Sequence, residues 1–207
     1  MLKKPNNYDE VEVNQEFERL ELGGHKGIIK SVEEYTSPFS ENTSLKVEVD
    51  TDKDDKQPNY YQERYNSDTN ANKKWPTGAV KYVSLKEDEN CVKMLKGFIT
   101  AVENSNSNFT YDWSKEPDQL KGKKVGLIFG LEEYTNQQGE TKTATKLTQF
   151  RSLDKVDSAK IPKVRLLDGS FVEYSEYKPT ESKSVNSTTN PYSEYNDTVE
   201  IGDDFLD

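Results

Sequence analysis

Apolar residues in this chain come in short runs divided by polar stretches, and one run alone keeps helical spacing. Val92, Leu95, Phe98, Ile99 and Val102, within residues 86–104, recur at intervals of 3, 3, 1 and 3, the stripe of an amphipathic helix. Ser84 or Asp88 could cap it, and Glu87, Asp88 and Glu89 suit the positive end of its dipole. Gly97 inside it costs about 1 kcal/mol relative to Ala, so close packing against that position is expected. The other apolar runs predict strands over residues 27–35, 44–50, 78–85, 124–134 and 142–151. In the second of these, Leu45, Val47 and Val49 face one way while Lys46, Glu48 and Asp50 face the other. Residues 36–43 and 135–140 read as turns, the latter with Gly139 available for positive φ. Residues 1–24 carry a weaker ladder that fits strand or helix equally.

The order is strand, strand, strand, helix, strand, strand. A mainly β fold follows: a five-stranded barrel of the oligonucleotide/oligosaccharide-binding (OB) type, with one helix between strands 3 and 4. An α+β sheet with a single packed helix fits the same pattern. Apolar residues reach only 31%, against about 45–50% in ordinary globular domains, so part of the chain is expected to stay outside any packed core. The expected organisation is an N-terminal extension over 1–24, the barrel domain over 25–165 and a flexible acidic tail over 166–207.

Charge is distributed along the same lines. The chain carries 28 basic and 38 acidic residues, a net of −10. Residues 166–207 hold ten acids against two lysines, so the tail carries −8 and the body only −2. A nearly neutral body is compatible with a nucleic-acid partner despite the acidic whole. No run approaches the ~20 apolar residues of a spanning helix, and the N-terminus lacks the apolar core of a signal peptide. A cytoplasmic protein without a membrane association is expected. One cysteine, Cys91, excludes a disulfide framework, and one histidine, His25, removes most His-dependent metal and triad chemistry. Phosphate-binding loops, nucleophile elbows and zinc-protease helices are missing from the sequence. No enzymatic activity, metal or cofactor is expected.

Aromatic residues interleaved with basic ones carry the functional signal. Single-stranded nucleic acid needs rings on which bases stack and cations that follow phosphates. Tyr60, Tyr61, Arg64, Tyr65, Lys73, Lys74 and Trp75 supply both on one polar stretch, and Tyr134, Lys142, Lys146 and Arg151 supply both around the later hairpin. The competing reading is that these rings build the core and rim of a small barrel. At the C-terminus, Asp203, Asp204, Phe205 and Leu206 place an apolar pair in an acidic field after a Ser/Thr/Asn-rich spacer. That segment is either a solubilising tail or a peptide that docks into basic, apolar pockets of partner proteins.

Residues 98–106 (FITAVENSN), Tyr111-Asp112-Trp113, Leu120-Lys121-Gly122-Lys123 and Phe129-Gly130-Leu131-Glu132-Glu133-Tyr134 resemble a family of single-stranded DNA-binding proteins from phages and mobile elements of Gram-positive bacteria. The segment from Leu22 to Val32, Phe150-Arg151-Ser152 and Ile161-Pro162-Lys163 extend the similarity over about residues 20–165. The acidic end is similar to the tails of bacterial and phage single-strand binders but lacks their terminal Phe. The resemblance implies an OB-type barrel in the cytoplasm of a bacterial host and a role in phage DNA replication or recombination. Phage or host replication and recombination proteins would engage the tail, and a homo-oligomer is compatible. A phage protein–protein adaptor without DNA binding is the alternative, and a nuclease with an unrecognised carboxylate–metal site is a remoter one.

Overall fold

A computed structural model of the chain describes residues 3, 4, 6, 9 and 18–179. These hold seven strands and two α-helices: β1 (Gly23–Thr36), β2 (Thr43–Thr51), α1 (Tyr60–Ser67), β3 (Val80–Ser84), α2 (Glu89–Ser105), β4 (Lys124–Thr135), β5 (Thr141–Arg151), β6 (Val164–Arg165) and β7 (Phe171–Val172). The fold is mainly β. All strands belong to one open sheet with the path β3-β2-β1-β4-β6-β7, and β5 pairs with β4 off that path.

Alternation sets the register of the first hairpin. Ile29 faces Val49 and Val32 faces Val47 toward the core, while Glu33 faces Lys46 outward. The register slips between Ile29 and Ser31, leaving Lys30 as the extra residue of a bulge. Strand β4 lacks alternation because it is buried on both faces: residues 125–130 are all inaccessible. It pairs with β1 over 124–129, with β5 over 126–135, and in parallel with β6 at Glu132. At Gly126 a Cβ would stand 2.3 Å from the Val156 side chain and 2.8 Å from the Arg151 carbonyl, so this residue must be glycine for the strand to lie where it does.

Helix α2 starts one residue after Asp88, whose carboxylate accepts from the Asn90 and Cys91 N–H groups. That settles the cap on Asp88 and not Ser84. Phe98, Ile99, Ala101 and Val102 are buried against the sheet, but Val92 is exposed and Leu95 half-buried, so the apolar stripe meets the core only in its C-terminal half. Gly97 faces open space, contrary to the close packing expected there.

The boundaries of the folded unit also move. Leu20 is buried and its N–H donates to the Tyr60 hydroxyl at 2.8 Å, so residues 18–24 belong to the body and not to an extension. At the other end β7, inside the expected tail, pairs with β6 at the end of the expected domain. Leu167 N–H and the Tyr177 hydroxyl both donate to Glu133, at 3.2 and 2.9 Å. Burial, that hydrogen bond and the charge of Glu133 push the Tyr177 phenol up to about 12. Residues 180–207, including Asp203, Asp204, Phe205 and Leu206, lie outside the described residues. No helix among the described residues is long and apolar enough to cross a membrane.

Candidate functional site

The polar stretch read as an exposed aromatic segment is instead helix α1 and the chain that follows it. Asn59, the residue before the helix, sits at φ 50° and offers no side-chain cap. Asp50 of β2 takes over: its carboxylate accepts from the N–H groups of Tyr61 at 2.9 Å and Gln62 at 3.2 Å. Burial pushes the Asp50 carboxyl up, against the pull of these N–H groups and of Lys30. A strand residue thus anchors a short helix of weak amphipathicity, which no local signal in residues 59–67 announces.

This anchoring divides the expected site residues. Tyr61 is a core residue, 4% exposed, with its ring 5.9 Å from that of Phe129, so it offers no stacking surface. Tyr60 lies edge-on to Tyr61, and the Arg64 guanidinium covers its other side at 4.2 Å. Arg64 also donates to the Glu18 carbonyl at 3.0 Å. Tyr60 and Arg64 therefore clamp residues 18–20 onto the body.

Tyr65 and Trp75 come together, half-buried, with ring centroids 5.5 Å apart and planes inclined at 38°. The indole N–H donates to the Val49 carbonyl at 3.0 Å, which fixes the ring's orientation on the edge of the core. Lys73 lies over Tyr65 at 4.7 Å, and Lys30, delivered by the β1 bulge, lies over Trp75 at 5.8 Å. Lys74 is exposed beside them. None of these three lysines has a carboxylate within 4 Å among the described residues. Two residues beyond Trp75, the Thr77 hydroxyl accepts from the Lys146 ammonium at 3.2 Å, joining β5 to the same neighbourhood.

The remaining expected residues lie elsewhere. Tyr134 and Lys142 face each other at the tip of the β4–β5 hairpin, and Lys142 is paired with Glu140 at 3.2 Å. Arg151, exposed at the far end of β5, donates to Gln149 at 2.9 Å. Lys142 and Arg151 are nine positions apart along β5, roughly 30 Å at strand rise, so the two do not share one short site.

Sequence reasoning missed Lys30, because nothing in Ile29-Lys30-Ser31 marks a bulge. It also missed a second aromatic face. Tyr35 and Tyr82, with centroids 5.2 Å apart, are exposed on the outer side of the sheet, with Phe39 on the turn beyond. Cross-strand register could have found them, since Tyr82 pairs with Lys46 and Tyr35 with Ser44. Here the chemistry differs: Glu33 and Glu48 both hold Lys46 at 2.9 Å, so carboxylates outnumber ammonium groups. The two faces therefore differ in charge: carboxylates prevail around Lys46, while Lys30, Lys73 and Lys74 gather about Trp75 and Tyr65. Compared with known proteins, the chain matches no family model and no curated sequence.

Proposed function

We propose that the protein binds single-stranded DNA without sequence preference. The observation that carries this reading is the pair of half-buried rings Tyr65 and Trp75, bracketed by Lys30, Lys73 and Lys74, none of which has a carboxylate within 4 Å among the described residues. Rings of this kind stack on unpaired bases of any identity, and the lysines neutralise the neighbouring phosphates. The strand path supports an OB-type barrel as the frame: the first five strands run β3-β2-β1-β4-β5, with α2 between β3 and β4. Such barrels are partly open. The sequence resemblance adds the context of phage DNA replication or recombination in a bacterial cytoplasm. The acidic face at Tyr35, Phe39 and Tyr82 favours a second reading, a protein-binding adaptor.

Trp75 provides the test. Trp113 is 70% exposed and stacks edge-on to Tyr111 away from this site, so Trp113→Phe isolates the Trp75 signal. Titration with oligothymidylate should quench that signal, and duplex of equal length should bind far more weakly. Affinity should fall with salt at a slope of about −0.7 per phosphate neutralised. Equal affinity for duplex, or none for either ligand, favours the adaptor.

The acidic tail enters as a competitor. Residues 180–207 hold seven acids against one lysine. A tethered polyanion has a high effective concentration over a cationic site. Truncation after residue 179, which spares the β6–β7 hairpin, should therefore raise affinity for single-stranded DNA, most at low salt. It should also abolish recruitment of protein partners, for which Phe205 and Leu206 are the apolar anchors among Asp203 and Asp204. An unchanged or lower DNA affinity in the truncated protein counts against the competing role.

A further inference from the structure

Strands β3 and β5 end the five-strand path on opposite sides and are not hydrogen-bonded to each other. A 3-10 turn at Thr77–Ala79 spans the seam between them. Gly78 lies so close to β5 that a Cβ there would stand 2.7 Å from the Thr145 carbonyl, and Thr77 holds the Lys146 ammonium at 3.2 Å. Across the seam, Lys81 occupies the core-facing register of β3, opposite the wholly buried Val47. Burial pushes both ammonium groups below their ordinary range.

A lysine drawn out of water normally keeps a carboxylate beside it. Neither of these has one within 4 Å among the described residues. The carboxylate whose charge reaches both is Glu132, and it already accepts from Arg165 at 2.9 Å. Two half-buried ammonium groups thus lie along an open strand seam where the acid whose charge reaches both is already paired, and the Trp75 site lies two residues from its Thr77 end. Packing alone would favour apolar side chains at both positions. A chain of anions passing along the seam would meet the two ammonium groups in turn.

We propose that the seam between β3 and β5 is a phosphate track, with Lys81 and Lys146 as its contact groups and Thr77 positioning Lys146. The ligand chemistry is a linear run of phosphates, from a single-stranded nucleic acid or from a free polyphosphate. With the nucleic-acid source, the proposal rests on the strand-binding reading: the track holds the backbone while Tyr65 and Trp75 hold bases.

The experiment uses the full chain with Lys81→Met, Lys146→Met and the double variant against three probes: a 20-residue oligothymidylate, an abasic 20-mer and a linear polyphosphate of similar length. Each single change should weaken the abasic oligomer severalfold, and the double change at least tenfold, with the salt slope reduced by about 1.4 for two phosphate contacts. Lys81→Arg should restore most of the loss. Without ligand, the methionine variants should melt at or above the wild-type temperature, since each removes a half-buried charge that has no carboxylate within 4 Å among the described residues. A structural lysine would lower that temperature instead. If Lys146→Met fails to fold, Lys81→Met alone decides the matter.

Wild-type and double variant binding the abasic oligomer alike overturns the track, whether or not oligothymidylate binds. Loss of polyphosphate and abasic binding in the double variant, with the wild type showing no preference for oligothymidylate, keeps the track and overturns strand binding. Polyphosphate held as tightly as the abasic oligomer points to free polyphosphate as a ligand in its own right. Loss confined to the nucleic-acid probes assigns the track to the strand.

Discussion

Replacing Trp75 with alanine should lower affinity for oligothymidylate roughly 5- to 150-fold, the range set by about 1–3 kcal/mol of stacking per base. The indole carries more than its own stacking surface, because Lys30 and Tyr65 are both placed against it. Its loss frees Lys30 from the position where it would meet a phosphate beside the stacked base. Trp75 also packs on the core and holds the Val49 carbonyl, so the alanine variant will melt earlier. Binding is therefore measured well below that melting transition. Trp75→Phe separates the two effects: it keeps a stacking ring but removes the indole N–H, so stability should fall while much of the affinity survives. Alanine and phenylalanine variants that bind equally well would place the bases elsewhere.

A comparable loss, in stability, is expected from His25→Ala. The imidazole is inaccessible and lies between two acceptors: Nδ1 is 2.8 Å from Asp55 and Nε2 is 3.0 Å from the Glu21 carbonyl. Through it, β1 holds the loop after β2 and the N-terminal segment at one point, with the edge of the ring against Phe129. Removing it leaves a cavity and a buried carboxylate without its partner, a cost of about 3–5 kcal/mol. That is a large share of the ~5–15 kcal/mol typical of a domain, and urea denaturation would read it directly.

The same pair sets a dependence on acid. Burial pushes the Asp55 carboxyl up, but hydrogen bonds from His25, Gln57 and Lys26 outweigh it and hold the group below its ordinary range. A carboxyl lowered in the folded state binds fewer protons there than in the unfolded chain. Its stabilisation is complete above the unfolded value, about 3.9, and drains away as pH falls through the folded one. Wild-type stability should decline below about pH 4, and the His25→Ala protein should show a shallower decline over that window.

Strands β1, β2, β4 and β5 were legible because Leu45, Val47 and Val49, or the continuous run at 125–129, announce them without reference to anything distant. Helix α2 was legible for the same reason, but its depth was not. Val92 keeps the helical period and Gly97 was expected to pack closely, yet both face solvent, because only the C-terminal half of the helix meets the sheet. Helix α1 was hidden because its anchor, Asp50, lies on another element. The aromatic-and-basic signal marked Tyr65, Lys73 and Trp75, which the structure brings together. It could not separate them from Tyr61, since a tyrosine's sequence neighbours do not tell which side of a short helix meets the core. Lys30 and Lys81 escaped notice because a bulge and an open seam, neither visible in local composition, decide where those ammonium groups go.

The triple pairing of β4 has a bearing on how the chain comes into being. Ile28 is matched to Lys124 and Gly23 to Phe129, about 100 residues away, so closing that loop must precede any gain from the pairing. At about 5–20 residues per second of synthesis, the first hairpin, complete at Thr51, waits about 4–16 s for its other neighbour. During that interval the apolar side of Ile29, Val32, Val47 and Val49 and one open edge of β1 are uncovered, a surface to which other nascent chains can add. The last of the five strands to emerge, β5, needs only the short turn at 136–140 to find β4. Birth order thus places the vulnerable period before residue 124 is released, and the half of the sheet made first is stabilised by the half made last.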